Sequence, residues 1–219
     1  MPEKILADIP FSFVEYQATF RDPIFEVWEL RSALLAAVFR ALHEWDARLE
    51  KVTWKQNPTN AAEVQVMFAL PSVEAVFRDS LGGATLFVNN PDWSKSDVIG
   101  KIARVGTAAV LGVSKGEIGK QHLTLAMHLM PTEGSIHDIT SRYVRFEDAG
   151  SMAGQVRAYG FSIYRENCAW VVDSSALYVD ALFVRISRTF SPTTPFSEVA
   201  SELSREESDL LNLLQLRLE

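Results

Sequence analysis

Residues 22–49 constrain this chain most, because their apolar side chains recur along a single helical face. Val27, Leu30, Leu34, Val38, Leu42, Trp45 and Leu49 follow one another at three- and four-residue steps, and Trp28, Leu35 and Phe39 widen the stripe. Asp22 is placed to cap the free N–H groups of a first turn. Pro23 suits the first helical position, where its missing N–H costs nothing. Glu26 and Glu29 lie toward the positive end of the helix dipole. Arg31, Arg40, Glu44 and Arg48 occupy the polar side. The spacing predicts one amphipathic helix of about 40 Å lying on a sheet. A helix at a membrane surface is the competing reading, and the mixed signs on the polar face argue against it.

Alternation of apolar and polar side chains predicts strands around that helix. Residues 11–20 carry Val14, Tyr16, Ala18 and Phe20 on one face, with Glu15, Gln17 and Thr19 on the other. A short strand over 52–55 and a clearer one over 62–70 follow. Next comes a hairpin of 73–79 with 84–89 around Gly82 and Gly83. A second helix starts near Ser94, where Ser94 and Asp97 have capping-box spacing, and its stripe is Val98, Ile102, Val105 and Ala109. Residues 121–130 form another strand. Residues 131–155 read as an irregular connection with one helical turn. Three strands over 156–165, 168–173 and 177–189 precede the breaker 191–195 and a helix over 196–219. Short turns between strands imply antiparallel pairing. The expected fold is therefore α+β: a mostly antiparallel sheet packed by a long N-terminal helix, a second mid-chain helix and a C-terminal helix. It is read as one domain over 1–219, with 1–116 and 117–219 as its natural halves.

Composition removes several function classes. The chain has 219 residues, 47% of them hydrophobic, enough for a substantial core. Its net charge of −7 lacks the basic surface of a general nucleic-acid binder. One cysteine, Cys168, permits no internal disulfide, which suits a reducing compartment. Residues 1–10 lack the pattern of a secretion signal, and no apolar run approaches the length of a membrane span. A cytoplasmic protein without membrane insertion is expected.

The motifs for specific chemistries are equally thin. His122 and His128 share a strand face but lie about 20 Å apart, too far to hold one ion. His128, His137 and Asp138 converge only if the following loop folds back. Cys168 alternates into an apolar face with Trp170 and Val172, the pattern of a small core residue and not of an activated thiol. Residues 112–119 are glycine-rich but run from helix to strand, the reverse of a phosphate-binding loop. No metal or cofactor is expected.

Three places remain. Tyr178, Asp180 and Arg188 have like parity with Leu182, Val184 and Ile186. They are candidates to orient a polar ligand, with a surface ion pair as the plainer alternative. Trp28, Trp45, Tyr16, Phe68 and Tyr159 line a cavity between helix and sheet or fill a core. The tail packs Leu210, Leu211, Leu214 and Leu218, with Leu213 and Leu216, too densely for one narrow stripe. Its leucines are candidates for contact with a protein partner or a second copy, opposite the acidic Glu202, Glu206, Glu207 and Asp209. The leading expectation is a non-enzymatic component of a protein assembly. The alternatives are a small apolar-ligand binder with a cavity beneath 22–49, and an enzyme whose site is assembled from dispersed polar residues.

Overall fold

Alternating burial is what most of this chain turns into structure, and the result is sheet-dominated. The structure is a computed structural model that describes residues 4–57, 59–92, 96–143 and 160–218. Of the described residues 43% lie in strands and 35% in helices. The strands are β1 (Ile5–Phe20), β2 (Val52–Asn57), β3 (Asn60–Leu70), β4 (Ala75–Ser80), β5 (Gly83–Asn89), β6 (Ile118–Pro131), β7 (Phe161–Arg165), β8 (Cys168–Ser174), β9 (Leu182–Phe190) and β10 (Leu216–Leu218). The α-helices are α1 (Glu26–Glu29), α2 (Arg31–Leu42), α3 (Ser96–Ser114), α4 (Ile136–Thr140) and α5 (Phe196–Leu214), and the tight helical turns His43–Trp45, Leu49–Lys51 and Pro71–Val73 complete the helical share.

The expected α+β arrangement, with a long helix laid over the sheet near the N-terminus, is not what forms. The N-terminal element is the strand β1, and residues 22–49 break into pieces. Asp22 and Pro23 start no helix: the Ile24 N–H bonds the Leu81 carbonyl at 2.9 Å, and no side chain caps α1 or α2. Leu30 leaves helical geometry at φ −110° and ψ 31°. The tight turn His43–Trp45 ends at Asp46, whose φ of 60° is left-handed. The apolar stripe specified a face without specifying a continuous rod. Val27, Leu34, Val38, Leu42 and Trp45 are buried, while Leu30 and Leu49, at the break and at the far end, are exposed. Another departure is at the C-terminus, where the expected helix stops at Leu214 and the chain turns at Gln215 (φ 55°) into β10.

The chain divides into two compact units, each built from more than one stretch. The first comprises Phe13–Leu123 and Thr189–Ala200, with strands in the order β2-β3-β4-β5-β1. Its ladders are antiparallel, with Val66 opposite Asp79 and Asp79 opposite Ala84. The expected hairpin is β4–β5. Helix α3 packs on β4 and β5, and α2 packs chiefly on α3, so the apolar face of α2 is covered by another helix. Lys101 of α3 pairs with Glu44 at 2.5 Å and lies over the Trp45 ring. A buried polar chain serves the breaker 191–195. The Tyr16 hydroxyl donates to Gln121 Oε1 at 2.7 Å, and Gln121 Nε2 donates to the carbonyls of Ser191 and Thr194, both at 2.9 Å. Burial pushes the Tyr16 pKa up to about 12.

The second unit comprises Met1–Ser12, Thr124–Arg188 and Ser201–Glu219, with strands in the order β1-β6-β9-β8-β7. Here β10 pairs with β1 in parallel, Ile5 opposite Leu216 and Ala7 opposite Leu218. The tail is also tied by Arg142 Nη1 to Gln215 Oε1 at 2.7 Å and by the Tyr143 hydroxyl to the Leu213 carbonyl. Helix α4 is the helical turn expected within 131–155, and its start is a full capping box of Ser135 and Asp138. Ser94, Tyr159 and the remainder of that connection (144–155) lie outside the described residues.

One buried group in the first unit is anomalous. Asp79 is 0% exposed, and neither carboxyl oxygen has a hydrogen-bonding partner among the described residues. Burial pushes its pKa up to about 7, and the Ser80 N–H favours the charged form without closing a hydrogen bond. In the unfolded chain the group titrates near 3.8. Stability is therefore fullest below that value and declines as pH rises through about 7. Asp79→Asn should be the more stable protein, with its advantage in urea unfolding growing by about 2 kcal/mol between about pH 5 and pH 8. A pH-independent difference would contradict a proton on Asp79. Packing at α3 gives a second expectation. A Cβ at Gly106 would meet the buried Phe77 ring at 2.6 Å, whereas one at Gly112 meets nothing within 4 Å. Gly112→Ala should stabilise by about 0.5–1 kcal/mol through helix propensity. Gly106→Ala should lose that gain to overpacking of about 1–3 kcal/mol, read as opposite shifts in thermal midpoint.

Candidate functional site

Two polar clusters stand out in the second unit, and the first follows from strand register. Arg165 of β7 lies opposite Cys168 of β8, and Cys168 opposite Arg188 of β9. The row therefore sets two arginines about 10 Å apart with a small side chain between them. The next row on the same face is Ile163, Trp170 and Ile186. Helix α5 turns Val199, Leu203, Glu206, Leu210 and Leu214 inward, all buried, so Glu206 occupies a position that its neighbours fill with apolar groups. Glu206 is 3% exposed and takes Arg165 on one oxygen and Arg188 on the other. The Trp170 indole N–H also donates to it, at 2.9 Å. Arg188 reaches Glu202 as well, at 2.9 Å, and the Arg165 guanidinium stacks 4.2 Å over the Trp170 ring. Every donor here is charge-assisted or buried, which makes the cluster a fastening of helix to sheet. Cys168 lies beneath it. Burial first, and then Glu206, pushes its thiol up to about 11, far from an activated nucleophile.

The second cluster holds the loop 175–181, between β8 and β9. The Ser175 N–H bonds the Ala181 carbonyl at 2.8 Å and closes the loop at its base. Ser175 Oγ accepts the N–H groups of Leu177 at 3.1 Å and Tyr178 at 2.9 Å, and lies 2.9 Å from His128 Nδ1. The buried His128 ring is packed by Tyr178, Phe183 and Phe11, with centroids 5.2, 5.3 and 6.1 Å away. Burial holds its pKa below the usual 6.5. Asp180 takes the left-handed turn at φ 55°. The loop and Ile136 line an open cavity of about 240 Å³. At its tip Leu177 is 71% and Val179 80% exposed. Although Ser175 and His128 are in contact, the serine is no free nucleophile, because two backbone N–H groups fill its acceptor sites.

The sequence candidates are thus divided. Tyr178 and Asp180 both line the loop cavity, and they precede β9 instead of continuing its alternation. Arg188 sits within β9 and belongs to the Glu206 cluster. Of the tail leucines, Leu210 and Leu214 are buried in the chain's own fold, and Leu211 and Leu218 are half-buried. Glu206, His128 and Ser175 are the residues that pattern reading left out of the site. The signal for Glu206 was present as a charge on the stripe 199, 203, 206, 210, 214. Among the described residues no three His, Cys, Asp or Glu side chains group to hold a metal ion, and Asp138 is engaged in capping. No described helix is long and apolar enough to cross a membrane. No protein-family model matches the sequence, and no curated protein matches it.

Glu206→Gln would leave two guanidinium groups around a neutral amide. Because Arg165 is half in solvent, the expected loss is about 2–4 kcal/mol, somewhat under that of a fully enclosed pair. Chemical unfolding followed by Trp fluorescence checks it, and a loss below about 0.5 kcal/mol would show that the cluster fastens nothing.

Proposed function

We propose that the protein acts through contact with another protein, as a binding or assembly component, and that the loop 175–181 makes the contact. The observation that carries this reading is the pairing of a fixed loop backbone with two solvent-facing apolar side chains, Leu177 and Val179, on either side of Tyr178. An apolar tip exposed to water gains about 1.5–3 kcal/mol for each such side chain it buries in a partner. A loop already closed by its own hydrogen bonds loses little further freedom on binding. The tail leucines are weaker candidates in this reading, since Leu210 and Leu214 are already committed to the fold. The place of action is the cytoplasm, in keeping with a single buried thiol, and the acidic net charge argues against a general role on nucleic acid.

Photo-cross-linking from position 177 in producing cells tests the proposal, with the exposed position 133 as control. A discrete protein adduct is expected from 177 and not from 133. Combined Leu177→Ser and Val179→Ser substitutions should weaken that complex by at least about tenfold, corresponding to 1.4 kcal/mol or more. Equal background from both positions would overturn the assignment.

A further inference from the structure

Counting donors and acceptors at Ser175 gives a stronger statement about His128 than proximity alone. A serine hydroxyl has one proton to donate and two lone pairs. Both lone pairs of Ser175 are taken, by the N–H groups of Leu177 and Tyr178. The remaining contact, to His128 Nδ1 at 2.9 Å, must then use the hydroxyl proton. The closed loop accordingly requires a bare Nδ1, with the ring proton of neutral His128 on Nε2. A second proton on the ring would sit on Nδ1 and point a third donor at an oxygen with no acceptor site left. One of the three contacts has to break, and the two that can yield without moving a buried ring are those holding the loop.

We infer that His128 is a proton-operated latch on the loop 175–181, closed when Nδ1 is bare and opened when Nδ1 is protonated. Among the described residues, the aromatic and hydrogen-bonding contacts of the ring come from Phe11 of β1, Phe183 of β9, and Tyr178 with Ser175 of the loop. Tyr178 is the titratable member of that set. The charged groups of the loop and its base, Asp180 and Asp173, are exposed. No described charged side chain perturbs the ring, and burial alone lowers its proton affinity. The sign follows. The closed loop has its full stability above the ordinary histidine value of 6.5 and loses it as pH falls through the lower folded value. The consequence for partner binding rests on the proposed docking role of Leu177 and Val179; the latch itself does not.

The test is made on the full chain. Imidazole ¹⁵N shifts report which nitrogen of His128 carries the proton. Amide hydrogen exchange at Leu177 and Tyr178 reports the latch, with Val171 of β8 as an internal control. On lowering the pH through the His128 titration, exchange at 177 and 178, corrected for the intrinsic pH dependence, should accelerate at least about tenfold while Val171 stays protected. Ser175→Ala should show the fast exchange at every pH. His128→Asn, whose Oδ1 stands where Nδ1 stood and takes up no proton, should show slow exchange at every pH. An Nδ1-protonated neutral ring, unchanged protection at 177 and 178 while His128 titrates, or loss of Val171 protection in step with them would each overturn the latch. These readings on the wild-type chain decide it even if a variant fails to fold. Cross-linking from position 177 separates the two ideas. Acid-opened exchange with no adduct at any pH would leave the latch standing and remove the docking role.

Discussion

Glu206 is the one charged side chain on the inward stripe of α5, and its attraction to Arg165 and Arg188 fixes how that helix meets β7, β8 and β9. Apolar packing by Leu203, Leu210 and Leu214 favours burial of that face but specifies its axial position weakly. A carboxylate that must meet two guanidinium groups and an indole N–H has far fewer acceptable positions. Helix α5 leads directly to the turn at Gln215 and to β10, so the placement of the last strand against β1 follows from the same contact.

Three of the buried titratable groups answer the cost of burial in three ways. Glu206 is surrounded by opposite charge. His128 is held neutral, in one tautomer, by a serine whose other hydrogen-bonding capacity is spent. Asp79 has neither arrangement and is accommodated by taking up a proton, since a bare carboxylate among Val66, Ala84 and Phe77 would be far costlier. The first arrangement fastens elements together, whereas the other two make parts of the chain sensitive to pH. That sensitivity runs in opposite directions: acid disfavours the closed His128 loop and favours the packing around Asp79.

Much of the strand layout was legible, because alternation in stretches such as Val64, Val66, Phe68 and Leu70 leaves few other conformations, and Gly82 and Gly83 mark the hairpin between β4 and β5. The breaks within 22–49 are not legible, because periodicity reports which side chains face inward and is silent about breaks such as Leu30 or a left-handed residue such as Asp46. Strand β6 shows a related limit. Its two alternating faces, Leu123 to Leu129 and Thr124 to His128, are both buried, so polarity could not say which mattered. The charge of Glu206 suggests the outer acidic face, whereas its position in the stripe points inward. Parity suggests a strand through Tyr178 and Asp180, but the left-handed turn at Asp180 puts both in the loop that forms the candidate site. The bond between Ser175 and His128 joins residues 47 apart, and no local pattern encodes it.

Strand β1 also has a history in time. Its segment 13–19 pairs with β5 (residues 83–89), which leaves the ribosome soon after it. Its segment 5–7 pairs with β10, which is synthesised long after β5. Thr132 reaches the Leu6 carbonyl earlier and covers one flank. The other flank must wait for residues 216–218. Until β10 is made, residues 5–7 therefore present an open edge, the feature most prone to pairing with a neighbouring nascent chain. The three residues Leu216, Arg217 and Leu218 are what finally closes it.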